Sequence, residues 1–343
     1  QHGPGSVAYE AAGTVLLYPE NAHELAAGLA QRLGATDHLR DDMSLVPSAD
    51  RASDAQLEVP FPFPTTLERV LASEMDLTSA PPRSVLRDLA SFATDPAERR
   101  ALCSFLGPGG EALLDAKQRG GLTILGFLEE FPSINVPLGF FLALAPRLRI
   151  KPRQYTIASS PKRAPSVVHL NVAVHCQPLA DGTVVRGLCT KWLRSLAKGA
   201  QLAGDVRAAG FRLPQQPAAP LVMVAAGSGI APFIALLEER LELATAGVLL
   251  GRAVLVFGCR HPELDFIHRG QLEAWLKQGV LSELWPAFSR PSAAPGRQQS
   301  GVARLKAAAA GLLGKRRPVA PPLGIATASP RHVQDLIREN GQQ

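Results

Sequence analysis

Arg153 stands two residues before Tyr155 in the run RQYTIASS, and Thr156, Ser159 and Ser160 follow. A guanidinium can grip an oxyanion through two parallel hydrogen bonds, a phenol ring offers a flat surface, and hydroxyls both donate and accept. These groups would suit a flavin nucleotide. Arg153 would take the pyrophosphate, Tyr155 the isoalloxazine or ribityl part, and Thr156 the reactive edge of the ring. Taken alone, the segment reads more simply as an exposed arginine ahead of an ordinary barrel strand.

Two further segments carry groups suited to anions. In GLCTKWL, Gly187 and Thr190 come immediately before a helical stretch, so backbone amides, the Thr190 hydroxyl and the helix dipole would converge on one point. An ordinary helix cap at Thr190 is the other reading. In LVMVAAGSGIAP, a strand runs into Gly227, Ser228 and Gly229 and then a helix with Pro232 early in it. Glycines at that place let backbone approach a pyrophosphate. The motif is shorter than the full dinucleotide fingerprint, and a tight turn without a ligand would also produce it. Cys259, at the end of VFGC, reads as a buried strand-end thiol rather than a nucleophile.

The elements that must hold these segments can be read from hydrophobic period. Residues 1–20 end a strand region at LLYPEN, and Asn21 with Glu24 resembles a capping pair for a helix running to about Leu33. Residues 36–60 are polar and weakly periodic, which predicts a loop. From Thr65 to Ala145, Leu67, Val70, Leu71, Val85, Leu86, Leu89, Leu122, Leu125 and Leu128 recur at helical spacing. Pro81-Pro82, Asp95-Pro96, Gly107-Pro108-Gly109 and Phe131-Pro132 cut this block into short helices. YTIASS, VVHLNVAVHC and TVV then read as strands. After RLPQQPAAP the order is strand LVMVAA, helix IAPFIALLEERLELA, strand AVLVFGC and helix RGQLEAWLKQG, which predicts a parallel sheet.

Composition removes several classes of function. The 343 residues are 46% hydrophobic and 19% charged, enough apolar material for two globular domains. The net charge of +6 lies in residues 291–330, where Arg297, Arg304, Lys306, Lys315, Arg316 and Arg317 occur without an acidic residue. Basicity this local gives no support to a nucleic-acid partner. That stretch, rich in alanine and proline, reads as a low-complexity insertion with at most one weak helix, LKAAAAGLL.

The longest apolar run, from Leu221 to Leu237, is broken by Gly227, Ser228, Gly229 and Pro232, so no membrane-spanning segment is expected. The opening QHGPGSVAYE has no initiator Met, basic stretch or apolar stretch, and reads as a cut end without a signal peptide. Four cysteines at 103, 176, 189 and 259 have neither paired nor zinc-ligand spacing, which points to a reducing compartment and to no metal site.

RQYTIASSP, GLCTKWL, VAAGSGIAPFIALLEER, VFGCRHPELDFIHRGQLEAW and AFSR, in this order and spacing, resemble the FAD- and NADPH-binding half of diflavin reductases. Within that family they are nearest the NADPH:cytochrome P-450 reductase (NADPH-hemoprotein reductase) branch. The helical block, with DLTSAPPRSVLRDLASFATDP, is similar to the connecting domain of that family. The resemblance covers roughly residues 8–290 and 331–343.

The resemblance implies an α/β plus β-barrel architecture. A ferredoxin-reductase-type FAD-binding barrel would carry a helical connecting insertion, followed by a partial doubly wound NADP-binding domain. The expected divisions are 1–60 (partial barrel with helix and loop), 61–150 (connecting domain), 151–215 (barrel) and 216–343 (partial NADP-binding domain with the insertion 291–330). Arg153, Tyr155, Thr156, Asn171, Val172, Ala173, Gly187, Leu188, Cys189 and Thr190 fall on the family's FAD contacts, with Thr156 in the catalytic position. Thr156 stands where the family usually has serine. Gly227, Ser228 and Gly229 fall on the nicotinamide cofactor, and Ser289 and Arg290 on the NADPH 2′-phosphate. The nearest match to the next motif, Lys-x-Tyr-x-Gln, is Pro330, His332 and Gln334, displaced by the insertion.

The activity implied is hydride transfer from NADPH to FAD, for onward transfer through FMN to a haem protein such as cytochrome P-450. No side-chain acid or base is required by that step. The resemblance equally accommodates a sulfite reductase flavoprotein, a nitric oxide synthase reductase half, a fused P-450 reductase half, or a non-catalytic FAD-binding fragment. It places the FMN domain, membrane anchor and first barrel strands before this chain, and a further strand, a Cys-Gly-Asp turn and an aromatic residue after Gln343. The chain is accordingly expected to be truncated at both ends, with impaired turnover. The expected location is cytoplasmic, the parent lying on the cytosolic face of the endoplasmic reticulum.

Overall fold

The computed structural model describes residues 8–44, 60–179, 182, 184–290, 332 and 334. The low-complexity stretch 291–330, with its weak helix LKAAAAGLL, lies outside the described residues. In chain order the strands are β1 (Thr14–Leu17), β2 (Asp42–Met43), β3 (Thr65–Thr66), β4 (Arg153–Thr156), β5 (Cys176–Pro178), β6 (Val184–Arg186), β7 (Gly204–Arg207), β8 (Leu221–Ala226), β9 (Ala253–Cys259) and β10 (Glu283–Phe288). The helices are α1 (His23–Arg32), α2 (Leu67–Arg69), α3 (Arg83–Ala90), α4 (Pro96–Leu106), α5 (Gly110–Arg119), α6 (Ile124–Glu130), α7 (Leu138–Ala143), α8 (Leu188–Ser195), α9 (Ala231–Thr245) and α10 (Arg269–Lys277). Two compact units result, one of Gln1–Leu16, Gln154–Ala173 and Gly204–Gln343, the other of Leu17–Arg153 and Val174–Ala203.

The second unit is built on helices. Leu29, Leu67, Val70, Leu71, Val85, Leu86, Leu89, Phe127 and Phe141 fill its core, so the helical spacing of these residues is the spacing of one buried face per helix. Phe127 sits between Phe105 and Phe131, with ring centroids 6.4 and 5.0 Å away. Burying a ring this size contributes about 2–3 kcal/mol. Three of the helix starts are capped by a local side chain. Thr66 caps α2, Asp95 caps α4 through the amides of Ala97 and Glu98, and Thr123 caps α6. The antiparallel ribbon β5–β6 closes the unit, with Val185 against Gly121 and Gln177 Nε2 donating to Arg119 O.

The first unit carries two three-stranded sheets, ordered β4-β1-β7 and β10-β9-β8. The second of these is parallel throughout. Its middle strand, AVLVFGC, is buried along its whole length, as a strand covered on both faces must be. Met223, Ala225, Ile230, Ile234, Leu237, Leu255, Phe257, Leu272 and Trp275 form the core around it. Arg240 is 2% exposed and serves as an internal strap, Nε donating to Val280 O and Nη2 to Gly251 O. Burial pulls its pKa below the usual arginine range.

Several sequence expectations change here. Ala22, not Asn21, precedes α1, and Asn21 makes no cap: its Nδ2 donates to Leu71 O and Met75 O at 2.8 and 2.6 Å, and its Oδ1 accepts from Leu77 N. The stretch 36–60 is not wholly loop, because a short turn at Thr36–His38 leads to β2, which pairs with β3. VVHLNVAVHC is not one strand. Among the described residues only the Ile157–Leu170 bridge and β5 are regular within it, since most of it has no neighbouring described strand to pair with. Among the described residues the strands form sheets and ribbons, none of which closes on itself.

Candidate functional site

The parallel sheet brings together residues far apart in sequence. Chains of this kind place ligand-binding groups outside the carboxyl ends of their strands. At the end of β8 the turn Gly227–Ile230 leads directly into α9. Gly227 has φ +51°, a conformation that a side chain makes costly, and among the described residues neither Gly227 nor Gly229 has an atom within 4 Å of where a Cβ would stand. Ser228 is exposed between them. At the end of β10, Ser289 N donates to Cys259 O and Arg290 N to Arg260 O, which sets both residues beside the end of β9.

Arg260 was not singled out by the sequence. Its guanidinium is held by Asp265 at 2.9 Å, and its backbone is joined to that of Arg290, so adjacent strand ends each carry a cation. An arginine directly after a buried strand was the available signal. Cys259 ends β9 with its thiol buried, and burial pushes it up to about 12, which makes it a poor nucleophile at neutral pH.

The other sequence-derived residues divide between the units. In the first, Tyr155 and Thr156 lie in β4 on opposite sides of the pleat, both half-buried. Thr156 therefore does not share a face with Tyr155. Ser159 and Ser160 are structural: Ser159 Oγ accepts from His169 N and meets the Tyr9 hydroxyl, and Ser160 N donates to Glu238. Asn171 and Val172 are half-buried and Ala173 is exposed. Asn171 Oδ1 lies 2.9 Å from His268 Nε2, whereas its buried Nδ2 has no hydrogen-bond partner among the described residues. His332 and Gln334 are half-buried.

In the second unit, Arg153 opens β4 and donates to Lys151 O. Gly187 is the residue before α8, and Thr190 lies inside the first turn rather than ahead of it. Thr190 is buried and its hydroxyl donates to Gly187 O at 3.1 Å, so the first-turn amides carry the donor capacity expected of the segment. Leu188 and Cys189 are buried with it. No group of ligating side chains suited to a metal ion occurs among the described residues, and no helix among them is long and apolar enough to cross a membrane.

Comparison with known proteins fits this division of labour. The FAD binding domain family matches residues 3–192, and the oxidoreductase NAD-binding domain family matches residues 223–310. NADPH–cytochrome P450 reductase of Oryctolagus cuniculus is 36% identical over 298 residues, covering 84% of this chain and 43% of the relative. The chain belongs to the diflavin reductase family. The Mus musculus NADPH–cytochrome P450 reductase is 33% identical over 297 residues, with the same coverage, and inducible nitric oxide synthase of Sus scrofa 35% over 278 residues, 80% of this chain and 24% of the relative. The chain thus spans less than half the length of the diflavin reductases it matches. FAD-binding and NAD-binding oxidoreductase domains in this order fit a ferredoxin-reductase-type fold.

Proposed function

We propose that this chain is the module of a diflavin reductase in which NADPH reduces FAD. Electrons would then pass through an FMN domain of the parent protein to a haem protein such as cytochrome P-450. The observation that carries this reading is the juxtaposition at the strand ends: an open glycine turn after β8 and paired cations after β9 and β10, in a chain that also matches an FAD-binding family. An open turn suits a pyrophosphate, and the cations suit the extra phosphate that distinguishes NADPH from NADH.

The residues present fit both nucleotides. Asn171 offers a buried amide with an atom unpartnered among the described residues, and α8 offers first-turn amides. Bound FAD would supply the redox chemistry, taking a hydride from NADPH and releasing electrons singly. The chain's own residues would bind and orient. Arg153 and the α8 amides would neutralise the FAD pyrophosphate, Tyr155 would cover the flavin, and Thr156 would stand at its reactive edge. Asn171 to Ala173 and Gly187 to Thr190 would complete the FAD contacts. Gly227, Ser228 and Gly229 would receive the NADPH pyrophosphate, Ser289, Arg290 and Arg260 its 2′-phosphate, and His332 and Gln334 its adenosine part.

In this reading the sheet β4-β1-β7 belongs to an FAD-binding barrel interrupted by the helical connecting block, and the parallel sheet to a partial doubly wound NADP-binding domain. The corresponding divisions are 1–60, 61–150, 151–215 and 216–343. The parent would act at the cytosolic face of the endoplasmic reticulum. The similarity to nitric oxide synthase favours, as a second reading, a parent whose haem acceptor is fused to it; the module's chemistry is the same.

The test is an absorbance spectrum of the purified chain after FAD addition and desalting, followed by anaerobic NADPH. Retained flavin bands that bleach with NADPH are the expected result. Loss of all flavin from a folded chain would refute the reading.

A further inference from the structure

Arg260 directly follows β9, and both ends of it are held. Its carbonyl accepts from Arg290 N at 2.8 Å, which ties its backbone to the chain leaving β10. Its Nη2 donates to Asp265 Oδ1 at 2.9 Å. Asp265 is fixed in turn. Its Oδ2 accepts from His261 N at 3.1 Å, its own N donates to His261 O at 3.0 Å, and its O accepts from Ile267 N at 2.9 Å. The next residue, Phe266, is 9% exposed, and its ring centroid lies 5.6 Å from that of Phe257 in β9 and 5.8 Å from that of Phe288 in β10. The loop from His261 to Phe266 is therefore anchored on the two strands whose ends carry Arg260 and Arg290.

As a prop for the fold this ion pair is worth little. Its side chains are 53% and 26% exposed, and exposed pairs contribute a small amount that salt screens further. Its geometry has another use. An arginine left in solvent samples many rotamers, and stilling it on a ligand weakens binding. A guanidinium carries five donors in one rigid plane. Asp265 takes one of them, and the other four have no acceptor among the described residues. A carboxylate held at one corner thus sets the plane and leaves donors for a second anion. Arg290 makes no ion pair among the described residues, so the two strand ends keep a net positive charge.

We propose that Asp265 is a positioning residue for the 2′-phosphate of NADPH. It holds the Arg260 guanidinium at the end of β9 before the ligand arrives, with the remaining N–H groups ready for phosphate. The proposal rests on the reading of these strand ends as the 2′-phosphate site, and adds to that site a residue of the sign least expected beside a phosphate. The sign makes it testable. A carboxylate that only offset charge would repel the phosphate, and its removal would tighten binding; a carboxylate that positions Arg260 is missed when it is removed.

The test is calorimetric titration of the full chain with adenosine 2′,5′-bisphosphate and with AMP, which lacks the 2′-phosphate; neither titration needs flavin or turnover. Asp265→Ala is expected to weaken the bisphosphate by about 2- to 10-fold, the range for ordering one long side chain on binding, and to leave AMP unchanged. Asp265→Asn keeps the shape, but its one carbonyl oxygen serves either Arg260 or His261 N and not both, so it shows a loss of the same kind and decides the matter if the alanine variant does not fold. Arg260→Ala weakens the bisphosphate at least as much, and adding Asp265→Ala to it brings no further loss. In the FAD-loaded chain the same Asp265 variants raise the KM for NADPH by the same factor, with kcat and the KM for NADH unchanged. Tighter or unchanged bisphosphate binding, an equal loss for AMP, or additive losses with Arg260→Ala would overturn the role of Asp265 and leave the site intact. A folded, unmutated chain that binds the bisphosphate no better than AMP would overturn the 2′-phosphate site and the proposal together.

Discussion

Replacing Gly229 by alanine separates what the fold needs from what a nucleotide needs. Gly229 lies outside the left-handed region, and a Cβ added there would meet nothing within 4 Å among the described residues. In the unliganded chain the methyl group therefore clashes with nothing and narrows the freedom of the unfolded state, a change of zero to about +1 kcal/mol. At about 2–4 °C per kcal/mol for a domain of this size, the melting temperature stays level or rises slightly. Gly227→Ala is the first control. Its Cβ also meets open space, but φ +51° costs alanine about 1 kcal/mol, so melting falls by a few degrees. Gly251→Ala is the second. A Cβ there would lie 2.2 Å from Ala218 O, a backbone atom with no rotamer to move, and the variant should lose roughly 4 kcal/mol or more. If the pyrophosphate of NADPH comes against the turn, the methyl of Gly229→Ala occupies its place, and affinity falls at least about tenfold, or 1.4 kcal/mol. Thermal melts without ligand and NADPH titration of the FAD-loaded chain, with ferricyanide as acceptor, measure the two effects. Unaltered NADPH affinity in a normally stable Gly229→Ala would refute the phosphate-binding turn. An unfolded Gly229→Ala would refute the geometry.

Three other outcomes follow from particular contacts. Arg290→Gln should raise the KM for NADPH by about 10- to 100-fold with that for NADH little changed, since each charged hydrogen bond is worth about 1.5–3 kcal/mol; parallel kinetics with the two cofactors check it. Asn21→Ala leaves two carbonyls and one amide inside the helical unit without their partner, and should cost about 2–4 kcal/mol in urea unfolding, against about 1 for the loss of a simple cap. Cys259 should resist alkylation at pH 8 while the exposed Cys103 reacts. Its folded pKa of about 12 lies above its ordinary 9.0, so the thiol's contribution to stability is complete below pH 9 and is lost as pH rises toward 12. The stability advantage of the wild type over Cys259→Ala should shrink across that window in denaturant titrations.

What could be read from the sequence, and what could not, follows from how local each cause is. The order β8, α9, β9, α10 was legible because a fully buried strand such as AVLVFGC and a helix such as IAPFIALLEERLELA are each set by their own composition. The four breaks in the helical block were legible because proline and glycine act on their own backbone. Asn21 misled because the capping pattern is a local cue, whereas its amide is satisfied by carbonyls fifty residues away. VVHLNVAVHC alternates like a strand, but alternation cannot supply a partner strand. β10 gives a weak strand signal because LWPAF contains Pro286; the strand lies at the edge of its sheet among the described residues, where a missing donor is tolerated. Within the candidate site, the glycine turn and Arg290 were visible as motifs. Arg260 was not, since it matters through a neighbour that only folding brings near.

The sheet β4-β1-β7 joins strands from three distant parts of the chain, and the route between the first two has a kinetic consequence. From Leu17 the chain runs through the helical unit before it returns at Arg153. Closing a flexible loop of roughly 140 residues costs about 4 kcal/mol of chain entropy. Short helices packing on sequence neighbours form quickly, and once folded the helical unit holds its own boundary residues together, as the bond from Tyr18 N to Ala203 O does. The excursion then ceases to be a floppy loop and becomes a stiff clasp that delivers strand ends to one another. Helix formation in the inserted unit should therefore set the pace of strand pairing in the unit it interrupts. A destabilised helix there would slow assembly of a sheet to which it contributes no strand.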